Sequence, residues 1–148
     1  MLKEVEDTWR RKFGECKEVL GKEVDQLMMI VDMKGSKLKD LSNKQANVVF
    51  KTLLIELQRF YPGLLSKCFV LNVPMFFEGF FESEVKPHLS EVTLQKIVLS
   101  GENTHSELLE LVPAANLPKI YGGEAECEAT CVYADKGPWA DVENKVNY

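Results

Sequence analysis

Residues 27–35 read LMMIVDMKG: five apolar side chains in succession, then an aspartate, then a glycine three residues later. A short apolar run closed by a glycine turn predicts a strand buried on both faces, here over 27–32. Two runs of the same kind lie downstream, CFVLNV at 68–73, ended by Pro74, and KIVLSG at 96–101. The stretch between the first two predicts a helix. Ser42 and Gln45 match a capping box, in which the serine oxygen and the glutamine side chain satisfy amide donors of the first turn. Ala46, Phe50, Leu53, Leu54, Leu57 and Phe60 follow on one face, and Pro62-Gly63 ends the element. A helical crossover between two buried strands makes them parallel neighbours with a right-handed connection. The expected class is α/β with a largely parallel sheet.

Working outward, Val5, Trp9, Phe13, Cys16 and Leu20 recur three and four residues apart and predict a helix over 4–20 with a narrow apolar face. After the third strand, Thr104 and Glu107 repeat the capping pattern ahead of Leu108, Leu109 and Leu111. Beyond Gly122-Gly123, a pair suited to a tight turn, the chain is acidic and turn-rich, with one short apolar stretch at 131–133. No repeat or linker interrupts it. One domain is expected over 1–148: a helical segment (1–25), the sheet with its helices (26–123) and a tail (124–148).

The chain has 148 residues, 45% of them hydrophobic, and a formal net charge of -5. That composition suits a packed core, and the charge argues against a nucleic-acid binder, which would carry a basic stripe. No run reaches the roughly 18 apolar residues of a membrane span, and the charged opening MLKEVEDTWRRKFGECKEVL is unlike a signal peptide. A cytoplasmic protein is expected, with Cys16, Cys68, Cys127 and Cys131 as reduced thiols. None of the paired spacings of a zinc site occurs.

Residues 75–88, MFFEGFFESEVKPH, hold four of the eight phenylalanines. On a helix, Phe76, Phe77, Phe80 and Phe81 span an arc of about 140°, with Glu78 and Glu82 opposite. Glu84 falls inside the apolar arc. Two readings stay open: a surface helix covering the sheet, or a movable lid over an apolar cavity. Each buried Phe contributes roughly 1.5–3 kcal/mol, so the segment needs an apolar contact, whether sheet, lipid tail or bilayer. Gly79 weakens the helix by about 1 kcal/mol relative to Ala, which suits a moving element.

No catalytic constellation emerges. MKGSK after the first strand is neither a dinucleotide fingerprint nor a P-loop. His88 and His105 accompany no recognisable nucleophile and read as exposed polar residues, Asp32 reads as a turn cap, and Trp139 as an anchor for the tail. The chain is expected not to be an enzyme.

The ordered set IVDMKG (30–35), FYPGLLSKCFVLNVP (60–74), MFFEGFFESEVKPHL (75–89), VTLQKIVLSG (92–101), ELLELVPAANLPKIYGG (107–123) and DKGPWAD (135–141) resembles the CRAL-TRIO domain. The likeness is greatest to the fungal and plant phosphatidylinositol/phosphatidylcholine transfer proteins. It implies a mixed, largely parallel sheet flooring a hydrophobic pocket, closed by a gate helix at the position of 75–88. Phe76, Phe77, Phe80, Phe81 and Val85 would then line gate and pocket, Leu27 and Met29 would face the pocket from the first strand, and Lys96 would contact a lipid phosphate.

The departures from the family pattern are equally specific. Gly63 stands where the family's phosphoinositide signature has a glutamate, and Leu27 and Met29 replace small hydroxyl residues of its choline-headgroup site. A guest with less polar recognition is expected: a sterol-like lipid, a fatty acid derivative or an unspecified phospholipid. The family's small helical N-terminal domain and opening strand would precede the helix at 4–20 and are expected to be missing, either because the protein is genuinely shortened or because the sequence starts late. Without that strand a neighbouring edge would be uncovered, which favours aggregation or dimerisation. Two functions follow. One is a carrier or presenter of a single lipid, with no cofactor, making transient contact with Golgi or other endomembranes. The other is a degenerate scaffold of the same family that binds a protein partner and no lipid.

Overall fold

The structure, a computed structural model, describes residues 2–37, 39, 43–101, 106–126 and 137. Among these residues the centre is a three-stranded sheet in the order β1-β2-β3, formed by β1 (Leu27–Asp32), β2 (Leu65–Leu71) and β3 (Ile97–Leu99). Both pairings are parallel, as the crossover logic requires, with Ile30 beside Phe69 and Phe69 beside Val98. β2, the middle strand, carries the core: Cys68, Phe69, Val70 and Leu71 are all buried, so both of its faces are covered.

β1 departs from the expectation of burial on both faces. Met29 and Val31, which share one face, are each 39% exposed. Among the described residues β1 pairs along one side only, and an edge strand has one lateral neighbour to shield it. β2 starts three residues earlier than the apolar run suggests and stops at Leu71, because Asn72 turns left-handed at φ 54. An extra residue of β2, Ser66, is accommodated opposite the Leu27–Met28 step, and its hydroxyl donates to the Leu27 carbonyl at 2.9 Å.

The N-terminal helix comprises α1 (Leu2–Asp7), a π turn (Thr8–Lys12) and α2 (Phe13–Leu20), closed by Gly21 at φ 63. Its expected apolar face is only partly used: Phe13 is buried, while Trp9, 5.8 Å from it ring to ring, is 44% exposed. The crossover helix is α3 (Lys44–Phe60). Ser42 and the side chains of Ala46, Phe50 and Leu53 lie outside the described residues, as does Thr104 of the second capping pattern.

After β2 comes α4 (Met75–Phe80), then a π turn (Phe81–Val85) and a 3-10 turn (Lys86–His88). Next is α5 (Glu91–Leu94), whose N-cap Ser90 accepts the Thr93 amide. α6 (Ser106–Leu111) follows β3, and 3-10 turns at Ala114–Asn116 and Lys119–Tyr121 come after it. The molecule divides into two compact units, Gln26–Leu111, which holds the sheet, and Met1–Asp25 with Val112–Tyr148. In the second unit, Leu117 and Tyr121 are buried, and Gly123 closes a turn so tight that a Cβ there would meet the Leu117 carbonyl oxygen at 1.9 Å. The DKGPWAD motif except Gly137, Trp139, His105, Cys127, Cys131 and the apolar stretch at 131–133 lie outside the described residues.

Candidate functional site

The Phe-rich segment folds as a helix whose hydrogen-bond pattern loosens after one and a half turns. Phe77 touches both Phe80 and Phe81, with ring centroids 5.9 and 6.1 Å apart. Phe81 and Val85 are buried, whereas Phe76, Phe77 and Phe80 are half-buried and Met75 is 97% exposed. The π turn starts at Phe81, just beyond Gly79, whose carbonyl also accepts the Ser83 hydroxyl at 2.8 Å. A hydroxyl inserted against the carbonyl four residues back loosens the ladder there, and π turns often mark functional positions.

Glu84, the carboxylate misplaced in the apolar arc, is explained by α3. The Lys51 ammonium hydrogen-bonds to it, and that contact holds the Glu84 carboxyl below the usual carboxylate range. Glu82, on the opposite face, pairs locally with Lys86 at 2.7 Å. A second tie runs from Gln58, also on α3. Its amide nitrogen donates to the His88 carbonyl at 2.9 Å, and its oxygen accepts the Ser90 amide at 2.9 Å and the Thr93 hydroxyl at 3.2 Å. Gln58 thus fixes the turn that follows the Phe segment. Sequence reasoning passed over both ties. Glu84 was the available signal, since a carboxylate inside an apolar arc calls for a cation; Gln58 gave none.

Leu27, Met29 and Lys96 fall on the sheet. Leu27 sits opposite Leu65 in the β1–β2 pairing, and the Lys96 ammonium donates to the Leu65 carbonyl at 2.5 Å. Leu27 and Lys96 therefore meet the same residue at the amino-terminal end of the strands, while Met29 is partly exposed two residues along. Among the described residues, no ring contact or hydrogen bond links the phenylalanine cluster to these three. Gly63 adopts φ 86 in the turn that carries the Leu64 amide back to the Tyr61 carbonyl, and its own carbonyl accepts the Gln26 side chain at 3.1 Å. A side chain at that φ is strained, so the local backbone suits glycine and not the glutamate of the family pattern.

At the carboxyl end of the strands, Asp32 acts as the expected turn cap. Its Oδ1 accepts the Lys34 amide at 2.9 Å and the Asn72 side-chain amide at 2.8 Å. Among the described residues, no group of three or more His, Cys, Asp or Glu could hold a metal ion, and no helix is long and apolar enough to cross a membrane.

In comparison with known protein families, the CRAL/TRIO domain matches residues 7–123. The chain is 31% identical over 133 residues to the "Sec14 cytosolic factor" of Schizosaccharomyces pombe, covering 90% of this chain and 46% of that protein. It is 33% identical over 144 residues to the "Phosphatidylinositol/phosphatidylcholine transfer protein SFH7" of Arabidopsis thaliana, covering 96% of this chain and 26% of that one. It thus spans less than half the length of either relative. A solved structure, "Crystal structure of Sfh5", aligns at 25% identity and a TM-score of 0.48 over 53% of this chain and 28% of its own.

Proposed function

The chain belongs to the CRAL/TRIO domain family, and from that premise we propose that it binds a single lipid and transfers or presents it without catalysis. The observation that carries this reading is the incomplete burial of the Phe-rich segment. Phe76, Phe77 and Phe80 remain half-buried beside the fully exposed Met75. Each such ring has apolar surface left to cover, and covering it contributes roughly 25 cal/mol per Å². A lipid tail or the surface of a bilayer supplies that cover. The segment then serves as a gate, with Phe76, Phe77, Phe80, Phe81 and Val85 toward the guest and the π turn as its yielding point. Leu27 and Met29 offer the guest an apolar strand, and Lys96 is the group for a headgroup phosphate. The printed name of the Arabidopsis relative, a phosphatidylinositol/phosphatidylcholine transfer protein, supports a lipid as the guest. Transient membrane contact by a cytoplasmic protein is the corresponding cellular setting.

Uptake of a pyrene-labelled phosphatidylcholine from vesicles tests the proposal. The full chain takes up the probe, and Phe80→Asp and Phe81→Asp abolish uptake while the variants keep their secondary structure by circular dichroism. Uptake unaffected by both substitutions removes the gate from the account. A folded chain that takes up no labelled lipid favours the scaffold alternative.

A further inference from the structure

We propose that Lys67 and Lys96 together form a two-cation subsite for a phosphate monoester. The register of the sheet brings them side by side. Cys68 pairs with Ile97, and the Cys68 amide donates to the Lys96 carbonyl at 2.8 Å. The ladder therefore continues one residue back and sets Lys67 next to Lys96. Both residues are half-buried. Like charges directly opposite each other on neighbouring strands destabilise a sheet, and among the described residues neither lysine has a carboxylate partner. The turn before them supplies none either, since Gly63 occupies it.

The Leu65 carbonyl holds the Lys96 ammonium and engages one of its three N–H donors. Among the described residues, the remaining donors of Lys96 and all three of Lys67 are left for an acceptor. The extra residue Ser66 lies immediately before Lys67, and irregularities of this kind re-aim side chains where a strand meets a site.

Charge decides which phosphate fits. A phosphate monoester carries about -1.5 to -2 at neutral pH and balances two ammonium groups. A phosphodiester carries one negative charge and leaves one lysine uncompensated, and a choline headgroup adds a further cation. The subsite therefore selects a lipid of the phosphatidic acid type over phosphatidylcholine. This deepens the lipid-carrier reading and rests on it for the source of the phosphate; free phosphate shares the chemistry and is tested separately.

The full chain is incubated with vesicles containing equal phosphatidic acid and phosphatidylcholine, re-isolated by size exclusion, and its bound lipid read by native mass spectrometry. In parallel, inorganic phosphate is titrated while the amide resonances of Leu65, Ser66, Lys67 and Lys96 are followed. The expected result is preferential retention of phosphatidic acid. Lys67→Met lowers the phosphatidic-to-choline ratio about tenfold, the scale of one charge-assisted hydrogen bond, and Lys67→Arg restores it. Phosphate shifts the four amides in the parent chain and not in Lys67→Met. A ratio unchanged by Lys67→Met, with no phosphate-induced shifts, overturns the subsite and leaves the carrier reading standing. Phosphate shifts in a chain that retains neither lipid uphold the subsite for free phosphate and overturn the carrier reading.

Discussion

The Lys51 ammonium hydrogen-bonds to the Glu84 carboxylate and ties the crossover helix α3 to the π turn of the Phe-rich segment. The pair is partly solvated, so its contribution is modest and salt-sensitive. Its pH dependence has a definite sign. Lys51 first, through its hydrogen bond and then its charge, lowers the Glu84 pKa below the ordinary 4.5. A carboxyl with a depressed folded-state pKa contributes stability that is present above its unfolded value and lost as pH falls through the folded value. Chemical denaturation of the parent chain and Lys51→Ala should therefore show a constant stability difference above about pH 5 that vanishes on further acidification. A difference that grows on acidification contradicts the tie.

Gln58 predicts a local effect. Gln58→Leu removes the acceptor for the Ser90 amide and the donor to the His88 carbonyl, at a cost of about 1–2 kcal/mol. Hydrogen exchange should accelerate at Ser90 before it does in β2, and uniform acceleration across the chain would assign Gln58 no special hold on that turn.

Cys68 predicts an effect at the other end of the pH range. Burial pushes its thiol from 9.0 up to about 11. A group raised in the folded state contributes stability below its unfolded pKa and loses it as pH rises through the folded value. At about 1.4 kcal/mol per unit, roughly 2–3 kcal/mol should disappear between pH 9 and 11, and Cys68→Ala should remove that slope. Peptide mapping after iodoacetamide at pH 8 should label Cys16 well ahead of Cys68. Equal labelling would contradict the burial.

Two glycines should respond in opposite directions. Gly123→Ala forces a Cβ onto the Leu117 backbone and should destabilise by about 1–3 kcal/mol or more. Gly14→Ala lies in α2 with open space around the new Cβ and should stabilise by about 0.5–1 kcal/mol. Urea midpoints moving the same way in both variants would contradict the geometry.

What the sequence disclosed depended on whether a feature is local. The run LMMIVD defines β1 to the residue, because an apolar stretch this short, closed by a glycine turn, has the length of a strand and not of a helix. The parallel pairing followed from the helix in the crossover between the two strands. The exposure of Met29 and Val31 was not legible, since it depends on which strand stands at the edge. Asn72 ended β2 early through a left-handed turn that no apolar pattern encodes. The placement of Lys67 beside Lys96 is a matter of register, between residues 29 positions apart. The ties from Lys51 and Gln58 also span distant segments, and Glu84 alone hinted at one of them.

The proposal that a lipid completes this fold is tested most directly by weighing the protein. Native mass spectrometry of the full chain, purified without detergent after expression, should show one adduct of lipid mass per chain, lost from Phe81→Asp. A folded monomer at bare polypeptide mass, both as purified and after exposure to mixed vesicles, would contradict it.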